Sequence, residues 1–441
     1  MGKLLNVAVL TPIYRLIDVK KGAPDMKPSL KRLLKTLALP LTMALGMGVA
    51  HADTPAAPAV LKIGTLYASS GPFAVASEGS YHGLQYWADS VNKDGGVFVK
   101  AYGKKIPVKV IAYDDQSSTS TATSLYNQLI TQDHVNLLVA DFGSVLTSVA
   151  IPLAAEHHML LIDPTGSGAN FFTQKTDYLA DVSIPSSTVW PLPLGHFLLD
   201  HKIQRVAILY DSNDFDASQA ETLKDTLTKG GIDPVYYHGV PTTESNYNVL
   251  LHTIAAHQPD AVIELGYSSN DIAFLRTLAD SGLHFKMTFT IFPGQLLSLM
   301  TKNVGEKALA YTYTYPTPPL VSYSDTNLGP NTTTFVSQYQ AATHQEPNFL
   351  NAAGYNTGLI MQQMLATSPT FSQEALHQAL LDMSGKTKTI IGDFVINENG
   401  AQLGELFPVA QLIPSANGLK VTVVYPEDQA TAKPVYPAPR P

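Results

Sequence analysis

Residues 135–169 read VNLLVADFGSVLTSVAIPLAAEHHMLLIDPTGSGA. An apolar run of strand length, VNLLVA, ends in the turn DFGS. A helix-length segment rich in Ala and Leu follows, then a second apolar run, LLID, and a second small-residue turn, PTGSGA. Strand, crossover helix and strand in that order make one unit of a parallel sheet. Both turns follow a strand, so both lie at the carboxyl edge, where open α/β sheets bind ligands. Ser144, Thr165 and Ser167 put hydroxyls there. A turn that opens a helix also presents unpaired N–H groups and a partial positive charge. The pair of turns therefore suits a small anion or carboxylate. Ser and Gly are also the ordinary material of βα turns, so composition alone leaves a purely structural reading open.

The same alternation runs along most of the chain. LKIGTLY (61–67) reads as a strand, followed by the turn ASSGPFA and a helix from Gly79 to Asn92 closed by KDGG. IPVKVIAYDD (106–115) is the next strand, and the Ser/Thr-rich SSTSTATSLYNQLITQD the helix after it. Beyond residue 185 the pattern resumes with RVAILYDSND, a helix, PVYYHGV, a helix, DAVIELGYSSND, a helix and FKMTFTIF. Alternating strands and helices mean βαβ units and parallel sheets. Two such runs predict two lobes of similar build. ALAYTYTYPTPP (308–319) is expected to cross between them. The segments near 389–400, 407–413 and 420–426 read as antiparallel strands, and the Pro-rich tail 426–441 as disordered.

The chain has 441 residues, enough for two or three domains. Its formal net charge is −8, with no basic run outside the N-terminus, which argues against nucleic acid. It has no cysteine, so disulfides, thiol nucleophiles, Cys zinc sites and a lipidated-Cys anchor are excluded. From Met26, the basic residues Lys27, Lys31, Arg32 and Lys35 precede an apolar run, Leu37 to Ala50, and an Ala50-His51-Ala52 cleavage site. This is the pattern of a secretory signal peptide. It predicts a mature chain starting near Asp53 in the periplasm, with residues 1–25 an upstream extension and no membrane insertion. No G-x-S-x-G, P-loop or H-E-x-x-H occurs, and the thirteen histidines show no ligand spacing. Neither an enzyme activity, a metal nor a cofactor is expected. Asp114-Asp115 could form an acid pair or cap the helix that follows.

In their order, these pieces resemble the type I periplasmic binding proteins, close to the branched-chain amino acid (Leu/Ile/Val) binders of ABC importers. The likeness spans about 61–425 and rests on LKIGTLYASSGPFA, VNKDGGVFV, KKIPVKVIAYDDQSS, the central two turns, RVAILYDSNDFDAS, HQPDAVIELGYSSNDIAFLRTLADSGL, AAGYNTG and IGDFVINENG. It implies two Rossmann-like lobes with parallel sheets joined by a three-strand hinge, with crossings near 185, 291 and 389. Lobe 1 would hold 60–184 and 292–388, and lobe 2 would hold 185–291 and 389–425. The ligand would sit in the cleft of a monomer that delivers it to ABC permease subunits. A periplasmic sensor of the same fold is the alternative.

Carried over residue by residue, the resemblance implies a ligand carboxylate at Ser144, with Thr165 and Ser167 on the second turn. Ser70 to Phe73 would form the first-loop wall. The second-lobe aromatic falls on Phe215, which keeps a ring without a hydroxyl. The acid that holds an α-amino group falls on Asn270, with Asp271 next to it. The family's Phe-Arg after the second turn is replaced by ADVSIP (180–185). Either Asp271 takes the role through a one-residue shift, or the ligand lacks an ammonium. Phe73, Phe215 and Tyr267 suit an apolar or aromatic ligand body. Asp271 could instead cap the helix it begins.

Overall fold

Five parallel strands build the first lobe in this computed structural model, which describes residues 56–322 and 325–440. They are β1 (Leu61–Tyr67), β2 (Val108–Asp114), β3 (Leu137–Val139), β4 (Leu161–Asp163) and β5 (Leu179–Asp181), in the spatial order β2-β1-β3-β4-β5. β3 to β5 are buried end to end, apolar but for the closing Asp163 and Asp181 of β4 and β5. The signal-peptide reading falls on residues outside those described. Among the described residues no helix is long and apolar enough to cross a membrane.

The second lobe is a seven-stranded sheet. It contains β6 (Val206–Asp211), β7 (Tyr236–Val240), β8 (Ala261–Leu265), β9 (Met287–Phe289), β10 (Tyr313–Thr314), β11 (Val409–Ser415) and β12 (Gly418–Tyr425). The order is β12-β11-β10-β9-β8-β6-β7, parallel from β7 to β10, with an antiparallel β11–β12 pair at one edge. The α/β class and the parallel sheets are as expected.

The boundaries differ from the expectation. β10 pairs with β9, so residues 292–314 complete another strand-helix-strand unit of lobe 2 instead of returning to lobe 1 at 291. The chain then rejoins lobe 1 by Phe335, which packs on Tyr86. The hairpin 387–394 is a separate two-stranded sheet. Gly400 still accepts a hydrogen bond from the Asp181 N–H, and Gln402 from the Ser186 N–H. The last crossing therefore lies between Gln402 and Val409, not near 389. The Pro-rich tail is docked on lobe 2. The buried Gln411 amide both donates to and accepts from the Val435 backbone, and Ala438 N–H donates to Lys286 O. One side chain that satisfies both backbone groups of a tail residue anchors a segment whose composition reads as disordered.

The helix α1 (Ala74–Lys93) packs on α6 (Phe349–Thr367), with α2 (Thr119–Thr131), α3 (Gly143–Glu156), α4 (Asp214–Lys229) and α5 (Ser268–Ser281) between them in sequence. The α1–α6 contact is backbone to backbone. A Cβ on Gly83 would collide with Asn351 O, and one on Gly354 with Ser80 O. Glycine is required there for close approach, not for its torsions. Gly354→Val is expected to destabilise the protein by about 1–3 kcal/mol or more, the usual cost of overpacking. An unchanged thermal midpoint would refute this packing role.

Candidate functional site

The two turns of the central stretch are each organised by a buried aspartate. Asp141 Oδ1 accepts from Phe142 N–H at the end of β3, and Asp163 Oδ1 accepts from Thr165 and Gly166 N–H (3.0 and 2.7 Å) after β4. Burial pushes the Asp163 carboxyl up to about 7 against those N–H donors. The turns are clipped to each other by the sequence-predicted hydroxyls. Thr165 Oγ1 accepts from Gly143 N–H, and Ser144 Oγ accepts from Gly168 N–H, both at 2.9 Å. A hydroxyl that accepts keeps its hydrogen to donate. Ser167 Oγ is fully buried and has no hydrogen-bond partner among the described residues.

Gly143, at φ +76°, turns the chain into α3 without a side-chain cap. The next two N–H groups, of Ser144 and Val145, lie toward lobe 2, where Tyr267 stands at the start of α5. The Tyr267 hydroxyl lies 3.0 Å from where a Gly143 Cβ would be. It is 2% exposed and has no well-formed hydrogen bond, although the Ser144 and Val145 N–H groups act on its oxygen. Burial raises this phenol above its ordinary range.

Aromatic rings fill the space beside it. Phe73 and Phe142 from lobe 1 stand 5.1 and 5.9 Å from the Tyr267 ring, and Phe215 from α4 stands 5.6 Å from it. Phe142, Phe215 and Tyr267, with Trp190, Phe292, Phe349, Ile184 and Gln295, line a cavity of about 10 Å3, room for one water, and Phe73 packs behind on Phe142 and Tyr267. The lobes are clasped at its rim. Asp214 takes N–H groups from the Asn170 backbone and side-chain amide at 2.9 and 2.8 Å. A ligand larger than water must part the lobes to enter.

The structure thus brings Phe73, Ser144, Thr165, Phe215 and Tyr267 together, with Ser167 on the adjoining turn. It does not bring Ser70, Asn270 or Asp271 to the cavity. Ser70 is exposed, its carbonyl held by Ser117 Oγ. Asn270 Nδ2 is spent on Thr242 O, Glu244 O and Tyr247 Oη. Asp271 Oδ2 accepts from Phe292 N–H at 2.7 Å, so it fastens the turn after β9 instead of capping its own helix. Asp114 and Asp115 likewise brace loops, accepting from Ser69, Gln116 and Ser117, while Ser118 caps α2. Phe142, Trp190, Phe292, Gln295, Phe349 and the Asn170–Asp214 clasp were missed. Only Phe142, beside Gly143 in the central turn, carried a local signal.

The profile of the family described as Periplasmic binding protein matches residues 60–418. The chain belongs to that family. Its members are binding proteins, not enzymes, and this periplasmic binding protein has curated relatives named for Leu/Ile/Val binding. One, the Leu/Ile/Val-binding protein homolog 3 of Brucella melitensis biotype 1, is 24% identical over 57% of this chain and 64% of its own length. The chain thus matches under two thirds of that relative. Among solved structures, the leucine binding protein LivK of Thermotoga maritima aligns with a TM-score of 0.71 and 15% identity, covering 83% of this chain and 99% of that one. A solute binding protein of an ABC transporter from Rhodopseudomonas palustris BisB5 aligns at 0.69 and 18% identity, over 86% and 99%. These likenesses carry the fold.

Proposed function

We propose that this protein is the extracytoplasmic solute-binding component of an ABC importer, taking a small organic carboxylate between its lobes. The observation that carries the reading is the start of α3, whose N-cap residue Phe142 makes no side-chain cap and which meets an aromatic-walled cavity at the lobe interface. N–H groups and the helix dipole hold the anionic end, the Ser144 and Thr165 hydroxyls add donors, and the rings bury the body. A ligand that touches both lobes stabilises the closed form and shifts the population toward it. The named neighbours leave two ligand classes in view. The Brucella relative is named for Leu/Ile/Val, whereas the Rhodopseudomonas protein was solved in complex with 3,4-dihydroxybenzoic acid.

Calorimetry over a panel of small carboxylates tests the reading, with Ser144→Ala as the site marker. A hydrogen bond to a charged partner is worth about 1.5–3 kcal/mol. Ser144→Ala is therefore expected to weaken the best ligand by roughly tenfold or more. Unchanged affinity in a folded variant would move the site elsewhere.

A further inference from the structure

Resting on that reading of the cleft, we propose that the ligand is a carboxylate with a planar or apolar body and no ammonium group. The cavity is rich in donors and poor in acceptors. On its wall, among the described residues, the Tyr267 hydroxyl is unpaired at 2% exposure and the buried Gln295 amide nitrogen has no partner. Ser167 adds a fully buried, unpaired hydroxyl on the adjoining turn. Groups of this kind are satisfied by acceptor oxygens. A primary ammonium is itself three donors, and it would need acceptors or a carboxylate to leave water.

Among the described residues no carboxylate lines the cavity. The two positions where an acid was expected are already engaged, Asn270 by the 242–247 loop and Asp271 by Phe292 N–H. Asp271 belongs to a cluster with Asp211, Asp216 and Glu264, whose members act on one another. The Tyr267 phenol lies on the cavity side of that cluster and feels the charges of Asp216 and Asp211. Asp214 has both oxygens on Asn170. The remaining wall is largely aromatic, with Phe142 and Phe215 within 6 Å of the Tyr267 ring and Trp190, Phe292 and Phe349 beside them. An aromatic wall of this kind suits a planar or apolar body once the lobes part.

Titration calorimetry with matched ligands separates the possibilities: benzoate and 4-methyl-2-oxopentanoate against phenylalanine, leucine and glycine betaine, each on the native chain and on Ser144→Ala. Benzoate or 4-methyl-2-oxopentanoate is expected to bind at least a hundredfold tighter than either amino acid, and to be weakened by Ser144→Ala. Tightest binding by leucine or phenylalanine, still weakened by Ser144→Ala, would overturn the inference and leave the cleft reading standing. Tightest binding by glycine betaine would do the same, since an aromatic cage can hold a quaternary ammonium. Failure of all five to bind, or affinity indifferent to Ser144→Ala, would overturn the cleft reading and this inference with it.

Discussion

Trp190→Ala is expected to lower stability by about 3–5 kcal/mol, the usual loss for a buried large aromatic. The indole is 2% exposed and donates to Pro185 O at 2.7 Å on the first crossing between lobes. Its ring meets Tyr315, just beyond β10, at 5.7 Å, and Phe407, in the last crossing, at 4.5 Å. It also packs on Phe215 of the cavity wall at 5.1 Å. One side chain therefore ties all three crossings and the cavity wall together. Truncation removes the packing and leaves the Pro185 carbonyl without its donor. Trp190→Phe keeps most of the ring contacts and should lose much less. Chemical denaturation of the two variants checks this. Equal, small losses would mean that the hinge is held elsewhere.

The second large effect is a fall in stability as pH rises from about 4 to about 8. Asp211 is raised to about 8 and Asp271 to about 7, first by burial, and Asp163 in lobe 1 is raised to about 7 for the same reason. Asp216 and Glu264 are raised as well, by burial and then by neighbouring carboxylates. Among the described residues none of these carboxyls is in a salt bridge. Their folded pKa values lie above the unfolded ones, so the folded state binds more protons across this window. The stability they contribute is fully present below pH about 4 and is lost as pH climbs through 7 and 8. A carboxyl moved from about 4 to about 7 changes folding free energy by up to about 4 kcal/mol across that span. Denaturant midpoints measured at pH 5, 6, 7 and 8 should fall steadily, and Asp271→Asn should flatten the slope. A flat or rising series would show that these groups are ionised in the fold.

Much of the design is legible in the residues. The apolar runs mark the strands, the glycines and small residues mark the βα turns, and the ordered turns carry the family resemblance. Ser144 and Thr165 were legible because helix-opening turns at a sheet's carboxyl edge need donors. Phe73, Phe215 and Tyr267 were legible as rings beside such turns. Trp190, Phe292, Gln295 and Phe349 were not, because each comes from a different, distant segment and no local spacing links them.

What the sequence determined by itself is local: alternation, turn chemistry, the α/β class and two lobes of parallel sheet. Tertiary structure decided the rest, because it depends on partners far apart in the chain. β10 joined lobe 2 because its edge matches β9, which moved the middle crossing past 314. The tail became ordered because one buried glutamine satisfies its backbone. Asp271 turned to Phe292 N–H, since a buried carboxyl goes to the donor its neighbours hold in place.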